Sequence, residues 1–143
     1  MPMGWIFMAA IVLIEALVMS YVIRAKRFDT GVMLATTVSN VASAIAGSVI
    51  SKVINDGWML VVWFPWVSMV EVDTSNSDSL FEFAIYLVGA FVGTVLIELI
   101  INGLLLRRHD YFKSVATATI ISNVISYIVG CTIMYTYSFL FFE

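Results

Sequence analysis

The chain has 143 residues, of which 62% are hydrophobic and only 12% charged, with a mean hydropathy of +1.01. Soluble domains carry about 25% charged residues, so this composition indicates an integral membrane protein rather than an aqueous domain. One cysteine (Cys131) and one histidine (His109) exclude a disulfide scaffold and a Cys/His zinc site, and a net charge of −3 argues against a nucleic-acid partner.

A membrane-crossing helix needs roughly 20 mostly apolar residues. Four stretches meet that demand in chain order: 5–23 with a single charge at Glu15, 31–51 uncharged, 81–106 interrupted by Glu98, and 114–142 uncharged. The last two exceed the minimum length, which implies tilt or an end reaching into the interface. The opening MPMGW lacks the basic start of a cleaved signal peptide.

The connections carry the charge. RAKRFDT at 24–30 and RRHDYFK at 107–113 each hold three basic residues and one acid, whereas 52–82 sets Lys52 against Asp56, Glu71, Asp73, Asp78 and Glu82. The excess of Lys and Arg assigns both basic turns to the cytoplasm. Both chain ends and the acidic connection are then expected outside. Arg24, Lys26, Arg27, Arg107, Arg108 and Lys113 serve as topology anchors that also meet anionic lipid headgroups.

Residues 58–70 (WMLVVWFPWVSMV) are too few to cross comfortably, since 13 residues rise about 20 Å as a helix. Trp58, Trp63 and Trp66 suit the headgroup belt, and Pro65 interrupts a regular helix. The expectation is a surface-lying or re-entrant element on the outer face, which could also be a lid or a patch for a partner.

The chain also repeats itself. Shifted by 83 residues, 12–50 overlies 95–133 without a gap, with 15 of 39 positions identical. VLIE recurs at 12–15 and 95–98, and Ser39-Asn40 recurs as Ser122-Asn123. Shared oiliness produces scattered Val and Ile matches; it does not produce paired Glu, Arg, Ser-Asn and Gly at one offset. The expected fold is therefore an all-α integral membrane protein, a four-transmembrane-helix bundle. It comprises a hairpin at 5–51, a linker at 52–80 and a second hairpin at 81–142, within one membrane domain over 1–143. The two hairpins would run in the same sense, related by an axis along the membrane normal.

Two patterns stand out within the spans. Ala35, Ser39, Ser43 and Gly47 recur every four residues, as do Ala118, Ser122, Ser126 and Gly130. Such small-residue stripes let helix backbones approach closely where lipid supplies no hydrophobic drive. They would set the second and fourth spans against each other, or each against its own hairpin partner. Glu15 and Glu98 each precede a boundary arginine by nine residues, about 13.5 Å along a helix and near mid-bilayer. Asn40 and Asn123 fall in a similar depth band. An acid in the membrane is a functional candidate by default. These four residues, with Ser39 and Ser122, therefore form either a structural polar pin or a site for a proton or cation. Asn102 has no polar counterpart at Met19, so any such site is only pseudo-symmetric.

No nucleophile, metal-ligand set or dinucleotide fingerprint accompanies them, so no catalytic residue, metal or cofactor is expected. With no histidine inside a span, a bis-histidine haem is not expected either. Two functions remain on the sequence. One is a small non-enzymatic subunit or assembly factor, docked on other integral membrane subunits or on a second copy of itself. The other is a minimal transporter or channel for protons, cations or small solutes, built on Glu15 and Glu98.

Overall fold

The computed structural model describes residues 2–55, 77–106 and 112–142. The interfacial segment with Trp58, Trp63, Pro65 and Trp66, and the basic turn at 107–111, lie outside the described residues. Four helices make up the fold: α1 (Pro2–Arg24), α2 (Thr30–Asn55), α3 (Ser77–Leu106) and α4 (Phe112–Phe142). Among the described residues there is no strand.

Three segments are long and apolar enough to cross a membrane: Thr30–Ile50, Leu80–Leu106 and Phe112–Ile133. At 30 residues α3 extends roughly 45 Å, well beyond a hydrocarbon core about 30 Å thick. Tilt or protruding ends must absorb the excess.

The first turn shows how local chemistry sets helix ends. Pro2 opens α1, where its missing N–H leaves no intrahelical bond unmade. The helix stops at Ala25, which adopts a left-handed φ of 52° while its N–H still reaches the Tyr21 carbonyl at 2.9 Å. Asp29 then caps α2. Its Oδ1 accepts the Val32 N–H at 3.1 Å, its carbonyl accepts the Met33 N–H at 2.9 Å, and Arg24 Nε lies 3.9 Å from Oδ2. Replacing Asp29 by Ala removes the cap and is expected to destabilise the protein by about 1 kcal/mol, whereas Asn retains most of it. Denaturant titration of the three proteins in the same detergent measures that order.

The helices form a ring in which α1 touches α2, α2 touches α3, α3 touches α4, and α4 closes onto α1. The diagonal pairs α1/α3 and α2/α4 make no backbone approach among the described residues. α2 and α4 therefore do not lie against each other: α2 packs between α1 and α3, and α4 between α3 and α1. Both stripes point inward. Ala35, Ser39, Ser43 and Gly47 are buried on α2, and Ala118, Ser122, Ser126 and Gly130 on α4.

Polarity is inverted relative to a soluble bundle. The interior holds Glu15, Ser20, Thr36, Ser39, Thr94, Glu98, Asn102, Thr119 and Asn123, while Leu34, Ile45, Val88, Leu96, Ile100, Leu104 and Ile128 face outward. That exterior suits lipid, not water. Outward hydroxyls obey the same rule by bonding to their own helix: Thr37 to Met33 O at 2.8 Å, Thr132 to Ile128 O at 2.7 Å, and Thr136 to Thr132 O at 2.8 Å.

Near the 25–29 turn the interior is apolar. Met19, Val32, Ala35, Leu106, Val115 and Ala118 form one buried cluster, with Ile23 packed against it. The polar interior lies farther from the turn.

Candidate functional site: a buried carboxyl pair

Glu15 and Glu98 are carried on α1 and α3, the helices that oppose each other across the ring. Both are almost fully enclosed, with 2% and 1% of their surface exposed. Neither points into lipid. The bundle has room for them because the neighbouring helices present Ser, Asn, Ala and Gly at this level rather than large apolar side chains.

Each carboxyl receives one carboxamide from its own helical pair. Asn40 Nδ2 donates to Glu15 Oε2 at 2.7 Å, and Asn123 Nδ2 donates to Glu98 Oε2 at 2.7 Å. Each carboxamide is held by a second bond from the same nitrogen, to the Thr36 carbonyl at 3.1 Å and to the Thr119 carbonyl at 3.0 Å. Those carbonyls fix the amides with nitrogen toward the acids; a flipped amide would set oxygen against oxygen.

A serine of the other helical pair reaches Glu98: Ser43 Oγ on α2 lies 3.0 Å from Glu98 Oε1. Ser126, 83 residues further on, is buried at the matching position of α4. The same two serines also contact carbonyls in their own helices: Asn40 O at 2.9 Å for Ser43, and Asn123 O at 3.0 Å for Ser126. All four helices therefore meet at one polar level. The acids are close enough to act on each other electrostatically, and among the described residues no Lys or Arg is bonded to them.

Of the residues singled out in the sequence, Glu15, Glu98, Asn40 and Asn123 come together here. Ser39 and Ser122 are buried one turn away and bond to the carbonyls of Thr36 at 2.9 Å and Thr119 at 3.0 Å. Ser43, which the sequence presented only as a member of a packing stripe, is the serine that reaches Glu98. A usable signal was present: Ser43 and its counterpart Ser126 each follow an Asn by three residues.

Two features beside the pair were not legible. Toward the turn, Asn102 Nδ2 approaches Thr119 Oγ1 at 3.4 Å, and that hydroxyl points at Met19 Sδ at 3.7 Å. This layer joins α1, α3 and α4 beneath the acids. On the other side Tyr127 and Thr94 share a hydrogen bond of 3.2 Å, and the Tyr127 ring meets Phe91 edge to face at 5.1 Å. Tyr127 also lines an open apolar groove of about 450 Å³ between α3 and α4, with Leu87, Val124 and Cys131. Tyr127→Phe keeps the ring contact and loses the hydroxyl bond. It should lower stability by about 0.5–1.5 kcal/mol, read from the unfolding midpoint in mixed micelles.

Three buried polar atoms have no protein partner among the described residues: Ser20 Oγ, Asn102 Oδ1 and Asn123 Oδ1. Asn123 Oδ1 belongs to the carboxamide that holds Glu98, so the pair retains an unused acceptor at its edge. No group of three or more His, Cys, Asp and Glu capable of holding a metal occurs among the described residues. Comparison with protein-family models, with characterised proteins and with solved structures found no match for this chain.

Proposed function

We propose that this protein is a minimal, non-enzymatic membrane transport module whose working centre is the Glu15/Glu98 pair, loading and releasing a proton or small cation. The observation that carries this reading is the enclosure of two carboxyls at one level, on opposed helices, with no basic partner bonded to them among the described residues. Enclosed acids of this kind are expensive unless they serve a purpose. A purely structural link between helices is available from Asn, Ser or Thr alone.

In this reading α1 also crosses the membrane, giving four crossings with both basic turns cytoplasmic and both chain ends outside. The two hairpins arose by duplication and lie about an axis along the membrane normal. Supporting that origin, the Glu15–Asn40 and Glu98–Asn123 bonds share a length of 2.7 Å and a separation of 25 residues. The Ser43–Glu98 contact crosses between the hairpins. The apolar cluster of Met19, Val32, Leu106 and Val115 closes the bundle between the acids and the turn side. Release to that side would require the helices to part there, as alternating access demands.

Docking as a subunit of a larger complex would draw on small-residue stripes exposed to a neighbour. Those stripes are spent inside the bundle, so the carboxyl pair supports transport better. Purified protein in sealed vesicles, driven by an imposed pH or potassium gradient, tests the reading. Flux above protein-free vesicles that is lost in Glu15→Gln and Glu98→Gln proteins supports it; equal flux in all of them would sink it.

A further inference from the structure

Hydrogen-bond arithmetic at the serines identifies the ligand. Ser43 Oγ carries one hydrogen but stands 2.9 Å from the Asn40 carbonyl and 3.0 Å from Glu98 Oε1. A carbonyl oxygen can only accept. If Ser43 donates to it, its contact with Glu98 is a hydrogen bond only when Oε1 itself carries a hydrogen. The other carboxyl oxygen is not available for that hydrogen. Glu98 Oε2 faces the Asn123 amide nitrogen, whose orientation the Thr119 carbonyl fixes. Glu15 repeats the two outer parts of the pattern: its Oε2 faces the Asn40 nitrogen, and Ser126, the counterpart of Ser43, contacts the Asn123 carbonyl.

We propose that the ligand of this centre is the proton, carried on the Glu98 oxygen that faces Ser43 and on the Glu15 carboxyl beside Ser126, with each serine hydroxyl acting as a rotor that keeps its carboxyl hydrogen-bonded whether loaded or empty. In the loaded state the carboxyl O–H donates to the serine oxygen and the serine donates to the carbonyl three residues back. When the proton leaves, the O–H bond of the acid breaks and its electron pair remains on the carboxylate. The serine hydroxyl then turns and donates to that oxygen. The carbonyl of Asn40 or Asn123 loses only an extra contact. Each carboxyl oxygen that faces a serine keeps a hydrogen bond in either state, which lowers the cost of exchanging charge in an apolar interior.

A metal cation fits poorly. Hard cations such as Ca²⁺ and Mg²⁺ require six or more oxygen ligands, and here N–H groups occupy one oxygen of each carboxyl. The acids interact with each other, so their protons leave in separate steps belonging to the pair. Tyr127 on α4 is the other titratable group near them, and α2 contributes only Asn40 and Ser43 at this level.

The inference takes its purpose from the transport reading, but its test does not depend on transport. Infrared difference spectra of the protein in lipid, recorded between acid and alkaline pH, report protonated carboxyl C=O bands directly. A band lost in Glu98→Gln is expected to move in Ser43→Ala and to stay in place in Ser43→Thr, which keeps the hydroxyl. A second band should follow Glu15→Gln and Ser126→Ala in the same way. Should Ser43→Ala not fold, Ser43→Cys replaces the hydroxyl by a weaker partner and must still move the band. The proposal is overturned if neither Glu→Gln exchange removes a protonated-carboxyl band, or if the serine variants leave the bands unmoved. Loss of the bands on adding Na⁺, K⁺ or Mg²⁺ at constant pH would equally overturn it, by making the ligand a metal cation. Wild-type spectra of the expected kind together with no flux in vesicles would refute the transport reading and leave the proton assignment standing.

Discussion

Vesicles containing the Glu15→Gln/Glu98→Gln double variant are expected to lose all protein-dependent proton flux while the helical bundle remains intact. Glutamine has nearly the shape of glutamic acid. Its amide oxygen can accept from Asn40 or Asn123 where Oε2 now does, and its NH₂ can donate to the serine oxygen. That arrangement reproduces the hydrogen bonds of the loaded centre. The exchange therefore leaves the interior satisfied, and its effect on stability should stay within about 1 kcal/mol. What it removes are the two carboxyls at this level, the proton-carrying groups of the proposed centre. Either single exchange should also lose most of the flux, because release from one acid is governed by the charge on the other. Fluorescent pH readout inside the vesicles, with circular dichroism on the same preparations, separates lost function from lost fold. Retained flux in the double variant would mean that the protons, if any, travel elsewhere.

The second large effect concerns Asn123. Replacing it by Leu keeps a similar volume but strips Glu98 Oε2 of its 2.7 Å donor and the Thr119 carbonyl of a further contact. Asn123 is fully enclosed, so water cannot substitute. An acceptor left unsatisfied in such a place costs about 1–3 kcal/mol, and more if it is charged. Asn40→Leu should cost less, because Asn40 is only half-buried where Asn123 is fully enclosed. Unfolding in mixed micelles of graded denaturant content gives both values. A cycle combining Asn123→Leu with Glu98→Met, which removes the acceptor, isolates the pair: the double variant should be less destabilised than the two single changes together. Additive losses would show that Asn123 acts through packing alone.

The order of these effects reflects a division visible in the chain. Composition alone separates this protein from aqueous domains, because burying 62% apolar residues in so short a soluble chain is geometrically impossible without a large exposed oily surface. The stripe of Ala35, Ser39, Ser43 and Gly47 was equally legible, since residues four apart share a face of any helix. So was the shared depth of Glu15 and Glu98, which follows from a rise of about 1.5 Å per residue and their matched distance from Arg24 and Arg107. Of the four stretches read as spans, three overlap segments that, among the described residues, meet the length and apolarity needed to cross.

Periodicity does not say which neighbour a face will meet. The same stripe that allows α2 to lie on α4 allows it to lie between α1 and α3, and the second arrangement is adopted. Ser43 changes meaning as a result. On a stripe pressed against α4 it would be filler; in the ring it stands 3.0 Å from Glu98. Ser39, four residues earlier on the same stripe, stays on its own helix at the Thr36 carbonyl. Nor could the Thr94–Tyr127 bond be read, because Ile11 and Ala44 occupy the matching positions of the first half and give no paired signal.

By itself the chain determined its apolar character, its helical segments and the paired occurrence of its acids. All of these follow from composition and from the fixed rise and turn of a helix. Tertiary structure alone decided the ring order, the inward turn of both stripes and the serine that meets Glu98. Those outcomes depend on contacts between segments far apart in sequence, where several packings satisfy the same local pattern and only the complete set of buried hydrogen bonds distinguishes them.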